Sequence, residues 1–205
     1  PLTVLYQTAE DGLGDTIKPR LMESKADLQK IYTIDETDFP LSMLDERIGE
    51  AIQDTHAQLM ILDPMQAYLG EKVDMNRANE VRTVMKGLIK VASQTGCAIV
   101  LVGHLNKSQT ANSAQRGLGS MDFRAAARSV LLVGRLKNDR NIRVMVHDKS
   151  SLAPEGNSRA FSLENGTLHW QEGYENLTAD ELLSGRSPDS KLTLAEQLIL
   201  DTLDK

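Results

Sequence analysis

Four short apolar runs that do not alternate with polar residues constrain this chain most: Thr3–Tyr6, Ile31–Ile34, Gln58–Asp63 and Ala98–Gly103. A strand with one wet face alternates, whereas a strand of a parallel sheet sandwiched between helices is apolar along its whole length. Helical periods fill the gaps. Asp15–Glu23 reads as a short helix with Pro19 in its first turn, where a missing N–H is harmless. Leu41–Thr55 places Leu41, Leu44, Ile48, Ala51 and Ile52 on one stripe. Asn76–Thr95 does the same with Val81, Val84, Met85, Leu88, Ile89 and Ala92, and Gly96 stands where a helix commonly ends. Strand and helix in alternation predict an α/β domain with a mainly parallel sheet and right-handed crossovers.

The texture changes after Gly103. "HLNKSQTANSAQRGLGS" is a long polar surface loop, and Met121–Arg128 reads as a short helix. Ser129–Leu136, Ile142–His147, Arg159–Leu163 and Thr167–Trp170 are shorter runs separated by "KNDRN", "APEGN" and "ENG", the punctuation of antiparallel hairpins. Residues 1–172 are therefore expected to form one core. Residues 173–205 read as a linker, with a turn of helix at Ala179–Leu183 and a C-terminal helix over Lys191–Leu203. The chain opens directly on a strand and closes on an amphipathic helix, so an internal piece of a longer protein is expected.

Composition narrows the function classes. A hydrophobic share of 40% supports a real core, and a net charge of −6 argues against a uniformly basic nucleic-acid coat while leaving room for a local basic loop. The single cysteine, Cys97, lies among apolar neighbours and is expected to be a buried small hydrophobe. No run of about 18 apolar residues exists, so no membrane span is expected. A cytoplasmic location is the default.

"VLYQTAEDGLGDTIKPR" superficially resembles a phosphate loop, with Gly12, Gly14, Thr16 and Lys18 after a strand. A Walker A loop needs G-x-x-x-x-G-K-[ST], so that backbone N–H groups cradle phosphates, Lys reaches the terminal ones and the hydroxyl meets Mg²⁺. Here Lys18 lies between Ile17 and Pro19, and no Gly-Lys-Ser/Thr triplet occurs anywhere in the chain. This segment is not a P-loop.

Ligands of open α/β sheets bind beyond the carboxyl ends of the strands, and three runs deliver polar groups there. The first leads into Glu10 and Asp11, the third ends on Asp63 before Pro64, and the fourth leads into His104. A strand-ending Asp can hold a Mg²⁺-bound water. A neighbouring Glu can orient and deprotonate an attacking water. Singly, each has a blander reading, as a solvated acid or a structural histidine; their joint placement at three strand ends carries the functional one.

The segments "VLYQTAEDG…TIKPRL", "LMILDPMQAYLG…NRANEVRTVMKGL" and "CAIVLVGHLNKS…RGLGSMDFRAAARSVLLVGR" resemble the RecA-like AAA-family ATPases of phages, plasmids and mobile elements, a group that includes RepA-type hexameric helicases and is related to DnaB. The resemblance runs from about Leu2 to about Trp170. It implies a RecA-like P-loop NTPase core, with a parallel central sheet flanked by helices and antiparallel strands toward the C-terminal end. It implies ATP and Mg²⁺ as ligands, single-stranded DNA as a partner and a ring-shaped homo-oligomer, a hexamer. By the same resemblance Glu10 is the catalytic glutamate, Asp63 the Walker B aspartate for Mg²⁺, and His104 the sensor of the γ-phosphate. Arg128, or else Arg124, reaches the nucleotide of the next subunit, and Lys149 points a basic group toward that site. Lys107 and Arg116 meet DNA phosphates in a channel-lining loop.

Alternatives stand beside these roles. Arg124 and Arg128, four apart, also fit a solvated helical face, and Lys107 to Arg116 also fit an ordinary loop. The family's P-loop lies one strand and one helix before "VLYQTAEDG", so truncation is expected and these residues alone are expected to bind ATP weakly and to be inactive. The expected whole is a DNA-dependent replicative helicase or primase-helicase motor of a mobile element. The runner-up is a recombination or repair ATPase of the same fold, and a third reading is a catalytically dead assembly module.

Overall fold

A computed structural model describes residues 2–70, 73–75, 77–104 and 121–184. They form two compact units that divide between Ala126 and Ala127. In the first unit, β1 (Val4–Thr8), β2 (Ile31–Tyr32), β3 (Leu59–Asp63) and β4 (Ala98–Leu101) make a parallel sheet of order β2-β1-β3-β4. The register aligns Thr8 with Asp63 and Leu62 with Leu101. The helices are α1 (Lys18–Glu23), α2 (Glu46–Thr55), α3 (Ala78–Thr95) and α4 (Met121–Ala126). Leu5, Met60 and Leu62 leave the sheet on one face and meet Ile48 and Ile52 of α2, Val81, Val84, Met85 and Leu88 of α3, and Phe123 of α4. Cys97 is buried in the same core, which raises its thiol pKa.

The opposite face of the sheet is drier than solvent but not closed. The unalternating runs predict burial on both sides; instead Tyr6 and Ile61 are half-buried there, and Val100, aligned with Ile61, is exposed. Several elements differ in extent from the sequence reading, and three of them show why. The second strand stops at Tyr32 because the N–H and C=O of Ile34 bond the side chain of Gln7 in place of a ladder partner. Helix α2 starts after Asp45, not at Leu41, because the Asp45 carboxylate caps it by accepting from the N–H of Arg47 at 3.0 Å. The segment expected as one helix over Asp15–Glu23 begins as a π-helical turn, Leu13–Ile17, and continues as α1 with Pro19 near its start.

The second unit is an antiparallel sheet in simple order: β5 (Ser129–Arg135), β6 (Arg143–Ser150), β7 (Arg159–Glu164) and β8 (Thr167–Gln171). Helix α5 (Ala179–Ser184) closes one face, where Leu177, Ala179 and Leu182 pack with Val144, Val146 and Ala160. The segment read as a linker thus contributes to this core as far as Leu182. Trp170 on the outer strand stays largely exposed, with the Phe161 ring edge-on at 6.1 Å and the Arg159 guanidinium 5.6 Å from its centroid. Among the described residues no helix is long and apolar enough to cross a membrane. The expected helix over Lys191–Leu203 lies outside the described residues.

Candidate nucleotide-hydrolysis site

Parallel pairing brings the carboxyl ends of β1, β3 and β4 to one rim, and the central position of β3 sets the geometry there. Ala9 N–H donates to the Asp63 carbonyl at 3.1 Å, fixing the chain as it leaves β1. Past β4, Val102 N–H donates to the Leu62 carbonyl at 3.0 Å, and Met65 N–H donates to the Val102 carbonyl at 2.7 Å. Two strand spacings, roughly 10 Å, separate β1 from β4. The side chains of Glu10 and His104 span that gap: Glu10 Oε2 lies 3.4 Å from His104 Nε2. Their contact therefore crosses the end of β3, whose last residue is Asp63. Glu10 and His104 are both more than half exposed, while Asp63 is half-buried.

Around this rim lies polar structure that sequence reasoning missed. The Tyr6 hydroxyl donates to Asp63 Oδ2 at 3.0 Å. Burial and the Asp63 carboxylate push the Tyr6 phenol up to about 12, so it remains a proton donor at neutral pH. Gln7, fully buried on the other face, donates to the Ile34 carbonyl at 2.9 Å and to the Glu36 carboxylate, and accepts from the Thr33 hydroxyl at 3.1 Å. Glu36 in turn accepts from Leu41 N–H at 3.0 Å. The buried Tyr68 hydroxyl has no hydrogen-bond partner among the described residues, and burial with the nearby Glu36 charge raises its pKa. A Gln inside an apolar run was the visible signal. Its partners became apparent only once strand order was known.

The remaining candidate residues fall elsewhere. Arg124 is a half-buried residue of α4, a helix tied to α3 by Arg82 and Asp122 at 2.7 Å. Arg128 is exposed and belongs to the second unit. The reading of both arginines as one helical face is corrected: α4 ends at Ala126, and the Arg128 carbonyl already accepts from Ser151 N–H at 2.9 Å beside the β5–β6 ladder. Lys149 is in the same ladder, opposite Val130, and its Nζ donates to the Ala127 carbonyl at 2.8 Å. The second unit thus brings Lys149 and Arg128 together at the entry to β5. Lys107 and Arg116 lie outside the described residues.

The rim can be tested for Mg²⁺. Among the described residues no group of three or more His, Cys, Asp or Glu side chains could hold a metal by itself. Mg²⁺ does not need one, since it keeps several waters and is held through one or two carboxylates together with substrate phosphates. Among the described residues Tyr6 is the one hydrogen-bond donor to the Asp63 carboxylate, and it uses Oδ2 and leaves Oδ1 unbonded by any of them. One half-buried strand-end carboxylate, bonded through one oxygen among the described residues, fits that mode. No Walker A sequence occurs within these 205 residues.

Comparison with known proteins agrees with this architecture. The chain is similar to the ATPase domain of G40P, with a TM-score of 0.63 and 15% identity over 86% of this chain and 75% of that one. It is also similar to the RadB recombinase, with a TM-score of 0.56 and 15% identity over 82% of this chain and 78% of that one. Likeness at this identity establishes the fold, which is RecA-like. A search of curated protein sequences returns no match. The family described as AAA domain matches residues 1–110, more than half of the 205, and this chain belongs to it.

Proposed function

We propose that this chain supplies the water-activating half of an ATP-hydrolysing site in a RecA-like motor. The observation that carries the reading is the meeting of Glu10 and His104 across the end of the strand that terminates in Asp63. Glu10 is the general base: its exposed carboxylate orients a water and accepts its proton as the water attacks the γ-phosphate, the bond to the β,γ-bridging oxygen breaks and ADP leaves. A positioned base of this kind contributes about 10²–10⁴-fold. Asp63 holds a water of the Mg²⁺ shell through its free oxygen. Mg²⁺, when bound, offsets charge on the transferred phosphoryl group. His104 is the sensor that faces the γ-phosphate, and its contact with Glu10 couples that sensing to the base.

Arg128, with Arg124 as second choice, serves the site of the next subunit in a ring, the hexamer expected above, and Lys149 supports it. Lys107 and Arg116 grip single-stranded DNA electrostatically, as in a replicative helicase of a mobile element. Support for these finer roles comes from the resemblance of the motifs.

The deciding experiment is Glu10→Gln in the full-length protein. ATP turnover should fall at least about 100-fold while ATP binding is retained. Turnover that survives the substitution removes the base assignment. The 205 residues alone should bind ATP weakly and turn none over, since they hold no P-loop. Native mass of the full-length protein separates a closed ring from the filament expected of a recombination or repair ATPase.

A further inference from the structure

The register of β1 and β3 does more than bring Glu10 near Asp63. Tyr6 is two residues before Thr8, the partner of Asp63, so it projects from the same face of the sheet about 6.6 Å further back along the strand. That distance is the length of a phenol side chain. The Tyr6 ring lies along the half-covered face and places its hydroxyl 3.0 Å from Asp63 Oδ2. No other described residue donates to this carboxylate.

We infer that Tyr6 is the positioning residue for Asp63: its hydroxyl holds one carboxylate oxygen so that the other is presented to the Mg²⁺ shell. The inference rests on the assignment of Asp63 to Mg²⁺ made above. A carboxylate on a single-bond stem rotates unless something holds it. Here the backbone of Asp63 is held by the ladder and by Ala9, which leaves the side-chain torsion as the loose coordinate. Tyr6 removes that looseness from one side. Its hydroxyl acts on the carboxylate of Asp63, so its role is orientation. Partners of direct metal ligands commonly change metal affinity by about 10–100-fold, and Tyr6, which holds a carboxylate that reaches Mg²⁺ through a water, is expected at the lower end of that range.

Tyr6→Phe in the full-length protein keeps the ring and its packing and deletes the hydroxyl. Binding of a fluorescent ATP analogue is titrated with Mg²⁺, alongside binding in EDTA, thermal unfolding and ATP turnover. The expected result is a requirement for about tenfold more Mg²⁺, with EDTA binding and the unfolding midpoint near wild type and kcat restored at saturating Mg²⁺. A merely structural tyrosine would lower kcat or stability at every Mg²⁺ concentration. Asp63→Asn is the control. If it shifts the Mg²⁺ titration and Tyr6→Phe does not, Tyr6 has no positioning role and Asp63 keeps its own. If neither variant shifts the titration, the Asp63 assignment fails and the inference falls with it. Should Tyr6→Phe prove unstable, Tyr6→para-aminophenylalanine keeps the ring, its length and a donor and should titrate with Mg²⁺ like wild type; such a protein that folds and still needs excess Mg²⁺ overturns the inference.

Discussion

Asp45 does two things with one carboxylate. It caps α2, and it receives the Arg47 guanidinium at 2.7 Å, which also donates to the carbonyls of Asp35, Phe39 and Pro40 at 3.1–3.2 Å. The loop before α2 is thereby pinned to the helix start. Asp45→Ala should cost about 1–2 kcal/mol at neutral pH, read from denaturant unfolding. The hydrogen bond from Arg47 holds the Asp45 pKa below the usual carboxylate range. A depressed folded pKa gives stability that is present above the unfolded value, about 4, and lost as pH falls through the folded one. The difference between wild type and Asp45→Ala should therefore shrink below pH about 4. An equal difference at pH 3 and pH 7 would contradict this. The cap was not legible in advance, since Leu41 and Leu44 extend the apolar period backward. Leu41 is indeed buried, but from a loop, where periodicity carries no meaning.

At the scale of elements, the parallel strands and α3 were readable because their signals are local. Helix α3 runs from Ala78 to Thr95 and stops at Gly96, whose φ of +72° is a left-handed conformation that a side chain disfavours. A Cβ there would meet no atom within 4 Å, so the cost of Gly96→Ala is purely conformational. It should be about 1–2 kcal/mol, seen as a lower denaturant midpoint at unchanged slope. Strand β2 shows the opposite case. Its apolar run predicts four residues and the ladder holds two, because Gln7 competes for the backbone of Ile34. A long-range side-chain bond of that kind has no local signature. Gln7→Leu should strand the Glu36 carboxylate and the Ile34 backbone groups, costing about 1–3 kcal/mol, whereas a surface change such as Glu50→Gln should cost almost nothing.

For the whole molecule, the candidate chemistry divides between two units: Glu10, Asp63 and His104 in the first, Arg128 and Lys149 in the second. If Arg128 serves a neighbouring subunit, two inactive variants should complement each other. Full-length Glu10→Gln and Arg128→Ala proteins, each deficient alone, should recover part of the turnover when mixed and allowed to exchange. A site built from the Glu10 of one subunit and the Arg128 of the other is then intact, and such arginines are worth about 10³–10⁵-fold. Mixing without any recovery, in a preparation shown to exchange subunits, would place Arg128 outside the site or within its own subunit's site.

Hydrophobic period, glycine placement and strand-ending acids are properties of consecutive residues, and they were enough to specify an α/β chain with Glu10, Asp63 and His104 at strand ends. What they could not specify is which strand lies beside which. Strand order put β3 between β1 and β4, and only that order makes Glu10 and His104 meet over Asp63 and brings the Tyr6 hydroxyl to its carboxylate. The reason is physical: pairing between residues more than fifty positions apart is decided by burial and backbone hydrogen bonding of the assembled sheet, and no short window of sequence contains both partners.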